Sequence, residues 1–536
     1  MNGRRLFALL GLAACCTLAG IHGIRATQDL NWPGDPDLSR DISIAETIRS
    51  GHPLSDAVYR GEWAWYNPLV PGAVAVVSAL FNRPVHVVYA RLGAYANLLA
   101  PLSLFVLLAA LFDSLVALAA TTAFLFLVQG QEPAWTSATY SPWLLSVHFV
   151  QAPCYLALLL IARAWTRPTR SGFALAGAAL GVVLLGHTAP ALILSVVVAL
   201  EAIRNLAGGP SQTRTSVLKG FALLSATAAL VSAPLLVSIV GHYHLVIRNP
   251  VPAAWVYPGV ALSQLPTLLH SSLTLSPVSV IAGVGVVYLY RFRRGVPART
   301  ILLAAATTLG FFAYSYLVQY ARGVGLAIPA LVPGFHFLFY LRAFEAMTFG
   351  IGAVWLGRWS AHLIGRWIPA WRPAFVETTA LAVVFVALAA AVGSTYSAYR
   401  LRPDLIAERA NARRMFSAPE LRAMYEWIVT STNRPDVFVA PHNLGLSVVA
   451  TAGRKVVALD AIFSNPFVNW EERAHDQDEM MRSLEIGDWT AFTTRARHYR
   501  VRYIATNAPF SAEPTLLHCC LRRAWTGGPW IIYEVT

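Results

Sequence analysis

The 536-residue chain is 56% hydrophobic and only 13% charged, with a mean hydropathy of +0.53, whereas soluble globular proteins carry roughly 25% charged residues. Its net charge of +14 lies in short clusters between apolar segments, which excludes the long basic runs and aromatic-basic patches of a nucleic-acid binder. The five cysteines, Cys15, Cys16, Cys154, Cys519 and Cys520, show neither a paired framework nor a zinc-type spacing, so no structural disulfide and no zinc are expected.

In chain order, Arg4 and Arg5 precede an apolar stretch that runs to Ile24, long enough for a retained first spanning helix rather than a cleaved signal. Further apolar stretches follow at roughly 87–111, 114–129, 144–162, 172–186, 189–203, 218–240, 276–290, 300–320, 335–357 and 376–397, giving about eleven crossings. The segment 67–81, "NPLVPGAVAVVSALF", is apolar but short and carries Pro68 and Pro71.

Lys and Arg near helix ends mark the cytoplasmic side. With 67–81 on the surface as an interfacial or re-entrant helix, the inner loops collect Arg163, Arg167, Arg170, Arg204, Arg214, Lys219, Arg291, Arg293, Arg294, Arg299, Arg358, Arg366 and Arg372, while the short outer loops hold only Arg248 and Arg322. Counting 67–81 as a span would invert all of these loops. The N-terminus is therefore expected in the cytoplasm, the loop 25–86 outside, and residues 398–536 outside as well.

Two domains follow: a membrane domain over 1–397, including the outer loop 25–86, and a small extracytoplasmic α/β domain over 398–536. In the latter, "APELRAMYEWIVTST" reads as an amphipathic helix, and "DVFVAP", "RKVVALD", "RYIATN" and "WIIYEV" read as short strands.

The first outer loop concentrates acidic residues: Asp29, Asp35, Asp37, Asp41, Glu46, Asp56 and Glu62. Ile42 to Arg49 has helical spacing, and Asp37 or Asp41 would cap such a helix. A carboxylate held at a membrane surface can also serve as general base toward an acceptor hydroxyl. The residues alone leave both roles open.

An Asp fourteen residues before a Gly, with a surface helix between them and a Tyr/Pro/Leu step after, resembles the first outer loop of the C-type glycosyltransferases. That superfamily includes the protein O-mannosyltransferases, the aminoarabinose transferases and the catalytic subunit of oligosaccharyltransferase. Asp37, "IAETIRSG" ending at Gly51, "YNPL" at 66–69, and Arg91 carry the likeness. It implies a polytopic α-helical protein of the plasma (inner) membrane that uses a polyprenyl-phosphate-linked sugar, with an aspartate of the first loop activating an extracytoplasmic acceptor. Carried over by position, Asp37 is the first base candidate and Asp41 the second. The chain departs from the family in having "DPD" where an Asp-Glu pair is common, and its next outer loop offers only Glu132 as an acid. A divalent metal ion is therefore left open, with its ligands unassigned.

A lipid-linked phosphate needs cations at the bilayer surface, where guanidinium forks suit phosphate oxygens. Arg342, Arg248 and Arg322 are the candidates; Arg342 lies inside an apolar helix, where ionisable groups are functional by default, although Glu345 three residues on offers it a private partner. His187, His242, His244 and His336 sit at expected helix ends or loops, as sugar or phosphate contacts or as structural histidines. Trp63, Trp65 and Tyr66 fit an interfacial aromatic belt. A second reading is non-enzymatic: a transporter or flippase of a lipid-linked saccharide, or a catalytically silent relative. Transporters show paired repeats and broken midplane helices, neither of which is clear here.

Overall fold

The computed structural model describes residues 3–128, 139–208, 211–256, 259–264, 266, 276–368 and 370–536. Among the described residues, eight helices are long and apolar enough to cross a membrane: Gly3–Thr27, Val85–Leu111, Ser146–Thr166, Thr188–Gly208, Arg214–Val231, Val296–Gly323, Gly334–Trp367 and Pro373–Arg414. Three more of the expected segments form the shorter apolar helices Ser114–Phe126, Arg170–Gly186 and Pro277–Phe292. The chain is a multi-pass membrane protein. Leu69–Phe81 is a helix of 13 residues, or about 20 Å at 1.5 Å per residue, short of the ~30 Å hydrocarbon core.

The chain forms two compact units: one of Met1–Gln28, Leu92–Ser232 and Tyr257–Ala407, the other of Asp29–Arg91, Ala233–Val256 and Glu408–Thr536.

In the first unit, helices approach through small residues, because lipid gives apolar side chains no incentive to leave it and close backbone contact must supply the attraction. Pro277–Phe292 crosses Gly334–Trp367 at Gly285 and Gly352, where a Cβ on either glycine would collide with a carbonyl of the facing helix, that of Thr348 or of Ile281. Asp113 caps Ser114–Phe126 by accepting from the N–H groups of Leu115 and Val116, each at 2.9 Å. Glu201, fully buried, accepts from Nε and Nη2 of Arg299 at 2.8 and 2.7 Å. This fork satisfies two charges that would otherwise be costly in a low-dielectric interior.

The second unit contains a five-stranded sheet of β1 (Val437–Val439), β2 (Lys455–Val456), β3 (Val501–Thr506), β4 (Leu521–Gly527) and β5 (Trp530–Val535), in the order β2-β1-β3-β5-β4. β1 runs parallel to β2 and β3, while β5 pairs antiparallel with β3 and β4. The helices Trp470–Ile486 and Trp489–Tyr499 connect β2 to β3 and bury Met480, Leu484, Phe492 and Ala496 with Ile504 and Tyr533. All four expected strands are present; β4 is additional. A further difference is the disulfide between the adjacent cysteines Cys519 and Cys520, which corrects the expectation of none. A bond between neighbours closes no loop of chain, so the spacing rules that reveal a framework do not register it.

Residues of the first loop are tied into this unit. The N–H of Val456 donates to the carbonyl of Val58 at 3.0 Å, Lys455 Nζ donates to the carbonyls of Asp56 and Ala57, and Asn465 Nδ2 donates to Asp56 Oδ2 at 2.8 Å. Arg434 pairs with Glu46 at 3.0 Å, and both Arg409 and Arg413 pair with Asp29.

Candidate active site

The acidic loop of the second unit builds its helix earlier than the apolar spacing predicts. Asp35 is the N-cap, its side chain accepting from the N–H of Asp37 at 2.8 Å, with Pro36 in the first turn of the Pro36–Arg49 helix. Proline there has its φ preset and no N–H to lose, and aspartate is a favoured cap, so "DPD" is a helix start. Neither Asp37 nor Asp41 is the cap. Gly51, at φ +86°, turns the chain away just past the helix end, a left-handed conformation that glycine adopts without a Cβ clash.

With Asp35 capping, Asp37 falls in the first turn and Asp41 one turn further on, and Arg40 lies between them. Its guanidinium reaches Asp37 Oδ1 from Nη1 at 3.1 Å and donates to Asp41 Oδ1 from Nε and Nη2 at 3.1 and 3.0 Å. It also lies 3.9 Å from the centroid of the Tyr66 ring, a cation–π contact. The two aspartates differ sharply: the Asp37 side chain is 49% exposed and that of Asp41 is 1% exposed. Burial pushes the Asp41 carboxyl up to about 6, against the pull of Arg40. Burial, then the charge of Asp37, pushes Asp35 up to about 7. The site thus presents one accessible carboxylate, one buried carboxylate spent on an arginine, and a capping carboxyl raised toward neutral pH by burial.

Arg248 also belongs to this unit; it is exposed, and its N–H donates to the carbonyl of Pro466 at 2.9 Å. It lines a cleft of about 420 Å³ with Glu62, Tyr243, Asn469, Glu472 and Arg473. The remaining arginine candidates belong to the first unit. Arg342 pairs with Glu345 at 2.8 Å, and Glu345 accepts in addition from Ser279 Oγ at 2.6 Å. Arg322 lies in the last turn of the Val296–Gly323 helix. His187 ends one helix and accepts from the N–H of Ala189 at the start of the next, its ring 4.7 Å from that of His336. Glu132 lies outside the described residues. Among the described residues, no three His, Cys, Asp or Glu side chains gather as a metal site.

Sequence reasoning missed Arg40, although it directly precedes Asp41, because its role depends on the helix beginning at Pro36. It also missed the cleft, whose walls come from four separate stretches of chain.

No protein-family model and no curated relative matches the chain. Solved structures do. ArnT from Cupriavidus metallidurans bound to undecaprenyl phosphate is similar over 97% of each chain, with 11% identity and a TM-score of 0.56. An archaeal oligosaccharyltransferase, AglB from Archaeoglobus fulgidus in complex with an inhibitory peptide and a dolichol-phosphate, matches 92% of this chain and 69% of its own, with 14% identity and a TM-score of 0.50. The mycobacterial arabinofuranosyltransferase AftD matches 98% of this chain and 40% of its own, with 16% identity and a TM-score of 0.51. A multi-pass helical membrane protein with a small α/β domain is the class these features define. Its fold is that of the C-type glycosyltransferases.

Proposed function

We propose that the protein is a membrane glycosyltransferase that transfers a sugar from a polyprenyl-phosphate donor to an extracytoplasmic acceptor, with Asp37 as the general base. The observation that carries this reading is the contrast between Asp37, half exposed in the first turn of its helix, and Asp41, buried against Arg40. The fold supports the class, and two of its neighbours are held with undecaprenyl phosphate and dolichol-phosphate.

In the proposed step, Asp37 takes the proton of the acceptor hydroxyl as that oxygen attacks the anomeric carbon of the donor. The bond from that carbon to the phosphate oxygen breaks, its electron pair leaves with the polyprenyl phosphate, and the anomeric configuration inverts. Arg40 positions Asp37, and Asp41 and the Tyr66 ring hold Arg40 in place. Guanidinium groups suit the phosphate oxygens of the donor; Arg248 and the cleft it lines are left to the acceptor. Assaying purified protein with a panel of polyprenyl-phosphate sugars, with Asp37→Asn as the control, tests this function.

A further inference from the structure

We infer that the cleft beside Glu62 and Tyr243 is a saccharide-binding site that holds the acceptor glycan of the reaction proposed above; the assignment to the acceptor rests on that reading. The cleft has about 420 Å³, within the ~300–1,000 Å³ range of small-molecule sites.

Its walls are held before any ligand arrives. The Tyr243 hydroxyl accepts from the N–H of Trp63 at 2.8 Å and from Asn465 Nδ2 at 3.1 Å, and bonds to Glu62 Oε2 at 3.2 Å. The Tyr243 ring stacks on Phe467 at 4.9 Å, and His242 stacks on Trp63 at 4.8 Å. Arg473 pairs with Glu62 at 3.2 Å while lying 4.4 Å from the Tyr59 ring centroid and 5.4 Å from that of Tyr499. The turn after Tyr243 passes through His244 and Leu245 with φ of 52° and 58°, a conformation that persists outside glycine only where the surroundings fix it.

The chemistry of the lining selects the ligand. Two cations, Arg248 and Arg473, face two carboxylates, Glu62 and Glu472, so the cleft has no net charge to recruit a phosphate or a polyanion. Among the described residues, Val246 and Val468 are the aliphatic side chains lining it, too few to hold a lipid chain. It does offer aromatic faces beside groups that donate, accept or do both. A sugar needs this mixture, because its ring C–H faces pack on aromatics while its hydroxyls act as donors and acceptors at once. The guanidinium of Arg248 and the imidazole of His498 make no hydrogen bond among the described residues, which leaves donors for those hydroxyls. The cleft adjoins the candidate active site along the chain. Glu62 in its wall and Tyr66 under Arg40 are four residues apart, at most ~14 Å even when fully extended.

The test is calorimetric titration of the full chain in nanodiscs with linear trisaccharides of glucose, mannose, arabinose and N-acetylglucosamine. At least one should bind, and the exposed-residue variants Glu472→Gln and His498→Ala should each weaken it by about tenfold, the effect of losing one hydrogen bond of about 1.4 kcal/mol. No binding by any of the four, or binding that both cleft variants leave unchanged, overturns the assignment. Because binding is read without a donor, a chain that binds saccharide yet transfers no sugar contradicts the transferase reading and leaves the cleft standing.

Discussion

Arg40 donates twice to one oxygen of Asp41, through Nε at 3.1 Å and Nη2 at 3.0 Å. Two donors on one oxygen fix the plane of the guanidinium, leaving Nη1 to meet Asp37 at 3.1 Å. Asp41 is therefore a positioning residue in this account. Asp41→Asn should lower kcat by roughly 10- to 100-fold, the scale of a small misplacement of a catalytic group, with little change in KM. Steady-state kinetics distinguish this from a base, whose loss costs more; a larger defect in Asp41→Asn than in Asp37→Asn would exchange their roles.

Asp35 gives a pH signature of stability. Its folded-state carboxyl is raised from 3.8 to about 7, by burial and then by Asp37, so between those values the folded chain binds more protons than the unfolded chain, and stability falls as pH rises. Asp35→Asn keeps a favoured cap and cannot titrate. Thermal unfolding at pH 5 and 7.5 should show the wild type losing stability relative to Asp35→Asn at the higher pH; a constant difference between the two proteins would refute the burial argument.

The Glu201–Arg299 fork offers a test in the first unit. Glu201→Gln strands a partly buried guanidinium and should destabilise the protein by roughly 3–5 kcal/mol, whereas the double variant Glu201→Leu, Arg299→Met should recover most of that loss. Melting in detergent measures both. A double variant as unstable as the single would mean that the pair is not the source of the effect.

Orientation follows from the arginine distribution. A phosphatase fused after Thr536 should be active, because the positive-inside bias predicts residues 398–536 outside. An inactive phosphatase beside a fluorescent cytoplasmic fusion at the same point would reverse every loop, including the one that carries Asp37.

Much of this architecture was legible in the sequence. Each of the eleven apolar stretches is a helix because, away from water, the backbone must satisfy itself locally. The strands at Val437–Val439 and Trp530–Val535 announced themselves through β-branched and aromatic residues, whereas β4 hid behind Arg522 and Arg523, since an edge strand tolerates charges. The joining of 29–91 and 233–256 with 408–536 was not legible, because it rests on contacts such as Val58 with Val456 between residues almost 400 positions apart. At the candidate site the acidic loop was visible. Which aspartate stays accessible was not, because this depends on Asp35 and Pro36 setting the start of the helix.

Transfer from polyprenyl-phosphate sugars by the reconstituted wild type and by Asp37→Asn tests the role of Asp37 as base. The substitution preserves shape and an accepting oxygen for Arg40 while removing the negative charge and, with it, the capacity to take a proton. One donor of the panel should support transfer by the wild type, and Asp37→Asn should slow it by roughly 100- to 10,000-fold at unchanged protein level. Full activity in Asp37→Asn, or no transfer from any donor by the wild type, would contradict that role.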